Sequence, residues 1–293
     1  INSSKKNQPN IIYILLDDVG FSEMDFNGGN DLIGVTPTIT SFANNGIQFN
    51  NHYSESSCSP TRASFLTGRY AFRTGIDQVY TMLGKAGLLD DNPPLISELL
   101  KDEGYKTLMV GKWHVGYQFE SDLPQNRGFD DTIFYSDGQI NFYNKLTAFS
   151  YPFMRQTVPP NEPVNQSLWD ELIQITNGLW TAYLLNTIDE NRDYIPLIDT
   201  STYVEDIFYN KIESFINKNS DNDPFFIFYG AATPHSPVVE PPKTTPKCDS
   251  ILVQGRKDFC NQMFYVDLVI KNITNVLKDK NLYDNTIIVV GSD

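Results

Sequence analysis

Asp17-Asp18 directly follow an apolar run, Ile11-Ile12-Tyr13-Ile14-Leu15-Leu16. Lys112 and His114 follow a second run at Thr107 to Val110. His235 follows a third at Phe225 to Tyr229, and Asp293 a fourth at Thr286 to Gly291. Between the first two clusters stands Cys58-Ser59-Pro60-Thr61-Arg62, with Leu66-Thr67-Gly68-Arg69 behind it. The carboxylates Asp17, Asp18 and Asp293 suit a hard, oxygen-liking cation, calcium or magnesium. Such an ion neutralises anionic substrate oxygens and lowers the pKa of a bound hydroxyl. Arg62 and Lys112 add fixed positive charge for an oxyanion that develops in a transition state. His114 and His235 can move protons near neutral or mildly acidic pH. Taken singly, each part has a bland reading. An Asp pair also makes turns, a loop Lys or His is commonly solvated, and a lone cysteine is commonly a partly buried thiol. Their joint order is what argues for a site; His52 is read as structural.

For these residues to meet, the elements before them must lie side by side. The four runs read as strands buried on both faces, as in a parallel sheet. Thr36-Pro37 opens a helix with proline in its first turn, and Gly46 ends it. Ile47 to Phe49 reads as a short strand. Leu95 to Glu103 reads as a helix stopped by Gly104, and Tyr203 to Asn217 as another. Phe259, Met263, Val266, Ile270, Ile273 and Leu277 recur at helical spacing. Residues 144–200 carry Pro152, Pro159, Pro160 and Pro163, then a possible helix from Leu168 to Leu185. They read as an insertion or lid. Alternating strands and helices define an α/β class with a mostly parallel sheet, as a single domain over 1–293. In such sheets, ligands bind beyond the carboxyl ends of the strands.

Length and composition fit a large buried core: 293 residues, 40% hydrophobic and 13% aromatic. A net charge of −14 argues against nucleic acid, which requires a basic surface. No apolar run reaches transmembrane length. The chain opens on polar Ile1-Asn2-Ser3-Ser4-Lys5-Lys6, as a processed mature N-terminus would. Sequons occur at Asn2, Asn165 and Asn272. Cys248 and Cys260 flank a loop and suggest a disulfide formed in an oxidising compartment, which leaves Cys58 over.

Asp17-Asp18, CSPTR with LTGR behind it, GKWH at 111–114, TPH at 233–235 and the final GSD together resemble the sulfatase family, in particular its eukaryotic arylsulfatase B-like group. The resemblance implies an alkaline-phosphatase-like α/β core with helices on both faces of the sheet. It implies that a formylglycine-generating enzyme converts Cys58 to Cα-formylglycine, whose hydrate is the nucleophile. Asp17, Asp18, Asp293 and the modified residue 58 would bind one divalent metal, usually calcium. Arg62 would hold the hydrate, and Lys112 and His235 the sulfate. His235 would also protonate the leaving oxygen, and His114 would act as base when the sulfated hydrate collapses. The implied substrate is an aryl or carbohydrate sulfate, and the implied location is the secretory pathway, lysosomal or extracellular.

The chain also departs from the family pattern. The pattern continues past Ser-Asp with a metal-binding asparagine, a sulfate-binding lysine and a small C-terminal domain. None of these is in this sequence, and the expectation is that the native polypeptide continues. A substrate-contacting serine that follows the G-F-D segment in the family has no clear match; Ser136 and Gln139 stand nearby. Two other readings compete. A phosphate-ester hydrolase of the same superfamily would carry Ser or Thr as nucleophile and a second, histidine-rich metal set, which three histidines disfavour. A non-catalytic relative that binds sulfated ligands or a partner protein would keep Cys58 as a thiol. Oligomeric state is not legible. The aromatic residues Phe134, Tyr135, Phe142, Tyr143, Phe149 and Tyr151 are expected to pack rather than to stack on a substrate ring.

Overall fold

The computed structural model describes residues 8–28, 31–79, 94–116, 120–143, 185–188, 193–196, 201–219 and 223–293. The four apolar runs all form strands: β1 (Asn10–Leu16), β2 (Lys106–Lys112), β6 (Phe225–Gly230) and β7 (Thr286–Ser292). β3 (Asp131–Tyr135), β4 (Leu185–Ile188) and β5 (Asp193–Pro196) complete a sheet of order β5-β4-β3-β2-β6-β1-β7. From β3 to β7 all pairings are parallel, while β4 and β5 add an antiparallel edge. The strands that precede the site residues are therefore neighbours, β2-β6-β1-β7. Their parallel direction brings all four carboxyl ends to one edge.

Five helices flank the sheet among the described residues: α1 (Pro37–Asn45), α2 (Cys58–Thr67), α3 (Ile96–Asp102), α4 (Val204–Lys218) and α5 (Gln254–Asp279). Every residue of β6 is buried, because helices cover both sheet faces. On one face Phe225, Ile227 and Tyr229 pack with Phe208 and Ile212 of α4 and with Met263, Val266 and Ile270 of α5. On the other, Phe226 and Phe228 pack with Ala63 and Leu66 of α2 and with Leu95. Each fully buried Phe or Ile contributes about 1.5–3 kcal/mol relative to exposure. The aromatic residues Phe134, Tyr135 and Phe142 are packed in this core, and Tyr143 leans on it. Phe149 and Tyr151 lie outside the described residues.

Four differences from the sequence reading have physical causes, and the first is β7, read as buried on both faces: it is the last strand of the sheet, and its Ile287 and Val289 are exposed. Ile47 to Phe49 is not a strand, and Ile47 and Phe49 are exposed. Both edges of β1 are already taken by β6 and β7, so this stretch has no ladder beside β1 to join. α5 begins at Gln254, more than a turn before the first apolar repeat. That polar first turn is anchored by Arg256, which pairs with Asp31 at 2.7 Å and with Glu23 at 2.7 Å. The stretch 144–200, expected as an insertion or lid, supplies β4 and β5 to the sheet edge. Residues 168–184 of the helix expected there lie outside the described residues, and Leu185 opens β4.

Cys248 and Cys260 form a disulfide with Cα atoms 5.9 Å apart, and Cys58 is free. Asn272 is half-buried in the middle of α5; Asn2 and Asn165 lie outside the described residues. Among the described residues, no helix is long and apolar enough to cross a membrane.

Candidate active site

The strand ends build a buried quartet of charges. Lys112, the last residue of β2, donates from Nζ to both carboxylate oxygens of Asp17 at 2.8 Å each. Arg62, on the second turn of α2, reaches across the sheet edge. Its Nη2 lies 2.6 Å from Asp293 Oδ2 and 3.8 Å from Asp17 Oδ1, and its Nη1 donates to the Lys112 carbonyl at 2.7 Å. All four side chains have 0% exposure. At that depth charges persist only when paired, because desolvation otherwise costs several kcal/mol per ion. Burial disfavours the Arg62 charge, but Asp293 and Asp17 outweigh it and hold the guanidinium above its usual range. Burial pushes the Asp17 carboxyl well above its ordinary range, further than Lys112 pulls it back. Burial acts the same way on Asp293, but there Arg62 and Lys112 prevail and hold it below the usual range.

The backbone fixes this geometry. The Asp293 N–H donates to the Leu16 carbonyl at 3.1 Å, and the Asp17 N–H to the Thr233 carbonyl at 3.3 Å. The Asp18 N–H reaches Asp293 Oδ1 at 3.4 Å, and Val19 N–H reaches Ser292 Oγ at 2.9 Å. Asp18 (φ 63°) and His114 (φ 57°) both lie in the left-handed region, which non-glycine residues rarely adopt and which clusters at functional sites. Asp18 is exposed at the mouth of the site, where His235 Nε2 lies 3.4 Å from its Oδ2. His235 Nδ1 lies 2.7 Å from the Ser236 carbonyl. A carbonyl only accepts, so Nδ1 carries the hydrogen and Nε2 is the atom turned to the site. Burial and Lys112 lower the His235 pKa, against the Ser236 hydrogen bond and Asp18. His114 is fully buried, and a Cβ on Gly138 would sit 3.1 Å from its ring.

Cys58 opens α2, half-buried, where the charges of Lys112, Asp17, Asp293 and Arg62 all act on its sulfur. Burial pushes this thiol above its usual range and outweighs Lys112 and Arg62. The thiolate is the nucleophilic form of cysteine, so this burial works against thiolate chemistry at residue 58. Asp17, Asp18, Asp293, Arg62, Lys112, His235 and Cys58 thus gather at one sheet edge. His114 stands two residues beyond Lys112.

The family model for sulfatases matches residues 9–293. The chain belongs to the sulfatase family. Arylsulfatase J of Mus musculus is 26% identical over 98% of this chain and 42% of its own length. N-acetylgalactosamine-6-O-sulfatase of Bacteroides thetaiotaomicron is 30% identical over the whole of this chain and 60% of its own length. This sulfatase chain therefore spans about half the length of these curated relatives. Among solved structures, Ps i-CgsB in complex with k-i-k-neocarrahexaose superposes with a TM-score of 0.75 at 27% identity, covering 97% of this chain and 58% of that one. A member of the alkaline phosphatase superfamily from Vibrio parahaemolyticus shares the fold alone (TM-score 0.52, 17% identity, 97% of this chain and 54% of that one).

The donor chemistry of the sulfatase site fits a divalent cation. Asp17, Asp18 and His235 offer ligand atoms that all lie within 4.8 Å of one another. Asp293 touches the same group through the Asp18 amide. The geometric cluster includes His235 and leaves out Asp293, whose Oδ2 faces Arg62; a hard cation prefers the carboxylate oxygens of Asp17, Asp18 and Asp293.

Sequence reasoning missed two contributors, Gly230 and Glu205, and left the choice between Ser136 and Gln139 open. Gly230, at the end of β6, is where Arg62 passes: a Cβ there would lie 2.8 Å from Arg62 Nη1 and 2.6 Å from the Lys112 carbonyl. Of the pair Ser136 and Gln139, Gln139 reaches the His235 turn, accepting from Ser236 Oγ at 3.4 Å. Glu205 is fully buried behind that turn. A glycine at a strand end and an acid at a helix start are too common for either to stand out in the sequence.

Proposed function

We propose that the protein is a sulfuric-ester hydrolase acting on an aryl or carbohydrate sulfate, with residue 58, as formylglycine, in the nucleophile's position. The observation that carries this reading is the buried set Asp17, Arg62, Lys112 and Asp293 around the half-buried Cys58 that opens α2. Asp17, Asp18 and Asp293, with the modified residue 58, would hold a divalent cation, calcium in preference to magnesium. Bound there, it would lower the pKa of a hydroxyl and offset the anionic sulfate.

The chain's own residues supply the rest. Arg62, fixed by Asp293 and the Lys112 carbonyl, presents a pre-oriented guanidinium beside residue 58. Lys112 offers an ammonium for sulfate oxygens as they gain charge, without reorganisation at the moment of reaction. His235 directs Nε2 to the mouth and, as the imidazolium with Nε2 also protonated, would serve as acid toward the leaving oxygen. His114, buried at the end of β2, serves as base for release of sulfate. A carbohydrate sulfate is favoured by the N-acetylgalactosamine-6-O-sulfatase relative. The disulfide supports an oxidising compartment, and the proposed location is the secretory pathway, lysosomal or extracellular, where a formylglycine-generating enzyme would be its maturation partner.

Peptide mass spectrometry over residue 58, on protein from its natural source, tests the reading together with turnover of 4-nitrophenyl sulfate. A formylglycine mass and activity abolished by Cys58→Ala are expected. An intact thiol throughout, or full activity in Cys58→Ala, overturns it.

A further inference from the structure

His235 sits on a turn, Ala231 to Ser236, that leaves β6 and crosses the site. A turn that must place an imidazole within a few tenths of an ångström needs an anchor, and its own hydrogen bonds are few. The anchor comes from behind the sheet edge. Glu205, in the first turn of α4, has no solvent exposure. Its Oε1 accepts the N–H groups of both Ala232 and Thr233 at 2.9 Å each. Its Oε2 accepts the Tyr229 hydroxyl. The Thr233 carbonyl in turn accepts the Asp17 N–H at 3.3 Å. One carboxylate thus ties together the end of β6, the His235 turn and the backbone of Asp17.

What makes Glu205 unusual is its company. Its hydrogen-bond partners are a phenol and two amides, and no Lys or Arg is among the groups that act most strongly on it. A buried carboxylate without a cation is a stability cost, relieved here by hydrogen bonds and by the N-terminal end of α4. An apolar residue would avoid that cost but could not accept the two turn amides.

We propose that Glu205 is a positioning residue: through the Ala232 and Thr233 amides it holds the turn that aims His235 into the site. The proposal rests on the sulfatase reading for its catalytic consequence and on geometry alone for its structural one. Two variants separate reach from charge. Glu205→Gln keeps the length and an acceptor oxygen, whereas Glu205→Asp keeps the charge and withdraws it by one methylene. On 4-nitrophenyl sulfate, kcat/KM per folded enzyme is expected within about threefold of wild type for Glu205→Gln and down about tenfold or more for Glu205→Asp, the scale of a small misplacement. In a His235→Ala background the Glu205→Asp effect should shrink to about twofold, because the two changes act through one group. An unimpaired Glu205→Asp, a Glu205→Gln equally impaired, or a full-sized effect in His235→Ala overturns the proposal.

A readout without turnover keeps this distinct from the reaction itself. The chain has three histidines, so their ring resonances can be assigned by substitution. Glu205→Asp should move the His235 Cε1–H signal and leave that of exposed His52 in place, and Glu205→Gln should move neither. A wild type that turns over no sulfate ester while the His235 signal moves as expected sinks the proposed reaction and supports the positioning role. An unmoved His235 signal in Glu205→Asp sinks the positioning role.

Discussion

Arg62 does three things at once: it pairs with Asp293 at 2.6 Å, donates to the Lys112 carbonyl at 2.7 Å, and lies 3.8 Å from Asp17. A planar guanidinium can serve separate partners from its two terminal nitrogens, and a point-charge ammonium cannot. Arg62→Lys is therefore expected to lower kcat/KM on 4-nitrophenyl sulfate by about tenfold or more, although the charge is kept. Activity within twofold of wild type would mean that charge alone matters there. Glu205 makes a second prediction at this scale. Burial raises its folded pKa above the ordinary glutamate value. The folded state then binds more protons than the unfolded state between those two values, so stability from this group falls as pH rises through the window. Urea unfolding of wild type and Glu205→Gln should show the wild type losing relative stability as pH rises above about 4.3, the ordinary glutamate pKa; a constant difference from pH 4 to pH 8 refutes this. Asp17, Asp18, Lys112, His235 and Asp293 were legible in sequence because each follows an apolar strand, and Arg62 because it stands in the CSPTR segment that opens α2. Glu205 and Gly230 were not, because what marks them is a partner distant in sequence: the turn at 232–233 for one, Arg62 for the other.

The elements deliver these side chains by adjacency. β2, β6 and β1 were readable as continuous apolar runs because burial on both faces leaves little polar alternation to hide them, and β7 because its run is apolar even though Ile287 and Val289 are exposed on this last strand. β3 escaped because it is short, Asp131–Tyr135, and begins on polar Asp131-Thr132. The β4–β5 edge escaped because proline-rich sequence precedes it and antiparallel edge strands need no apolar run. Strand order itself could not be read from the sequence, since it depends on which helices cover which face. Close packing of β2 on β6 at their carboxyl ends turns on Gly111 and Gly230. A Cβ on Gly111, at φ 94°, would lie 1.9 Å from the Gly230 carbonyl. Gly230→Ala forces a methyl against Arg62 and the Lys112 carbonyl, an overpacking that costs about 1–3 kcal/mol. The expected result is a lower urea midpoint together with loss of aryl sulfate turnover in the protein that still folds. Retained turnover would show that Arg62 can leave its channel without consequence.

At the scale of the whole molecule, charge decides. The chain carries a net charge of −14, and folding brings Asp17, Asp18 and Asp293 to one edge. By formal charge, Arg62 and Lys112 offset two of these three carboxylates, which leaves one at exposed Asp18, where the nearest basic group among the described residues is His235 at 3.4 Å. A dication there would reverse the local sign to one net positive charge, which matches a singly charged sulfate ester. A ligand that binds the folded state alone raises stability by mass action, about 2.7 kcal/mol at a hundredfold excess over its Kd. General screening of −14 charges also stabilises, but depends on ionic strength and not on which cation supplies it. The two are separable by thermal unfolding of protein stripped with a chelator. Calcium at millimolar concentration is expected to raise Tm by several degrees beyond sodium chloride at matched ionic strength. Asp18→Asn, which removes the carboxylate at the mouth, should abolish most of that excess while leaving the salt response intact. A calcium effect equal to that of matched salt, or one that survives Asp18→Asn in full, would assign the stabilisation to surface screening and take the cation out of this site.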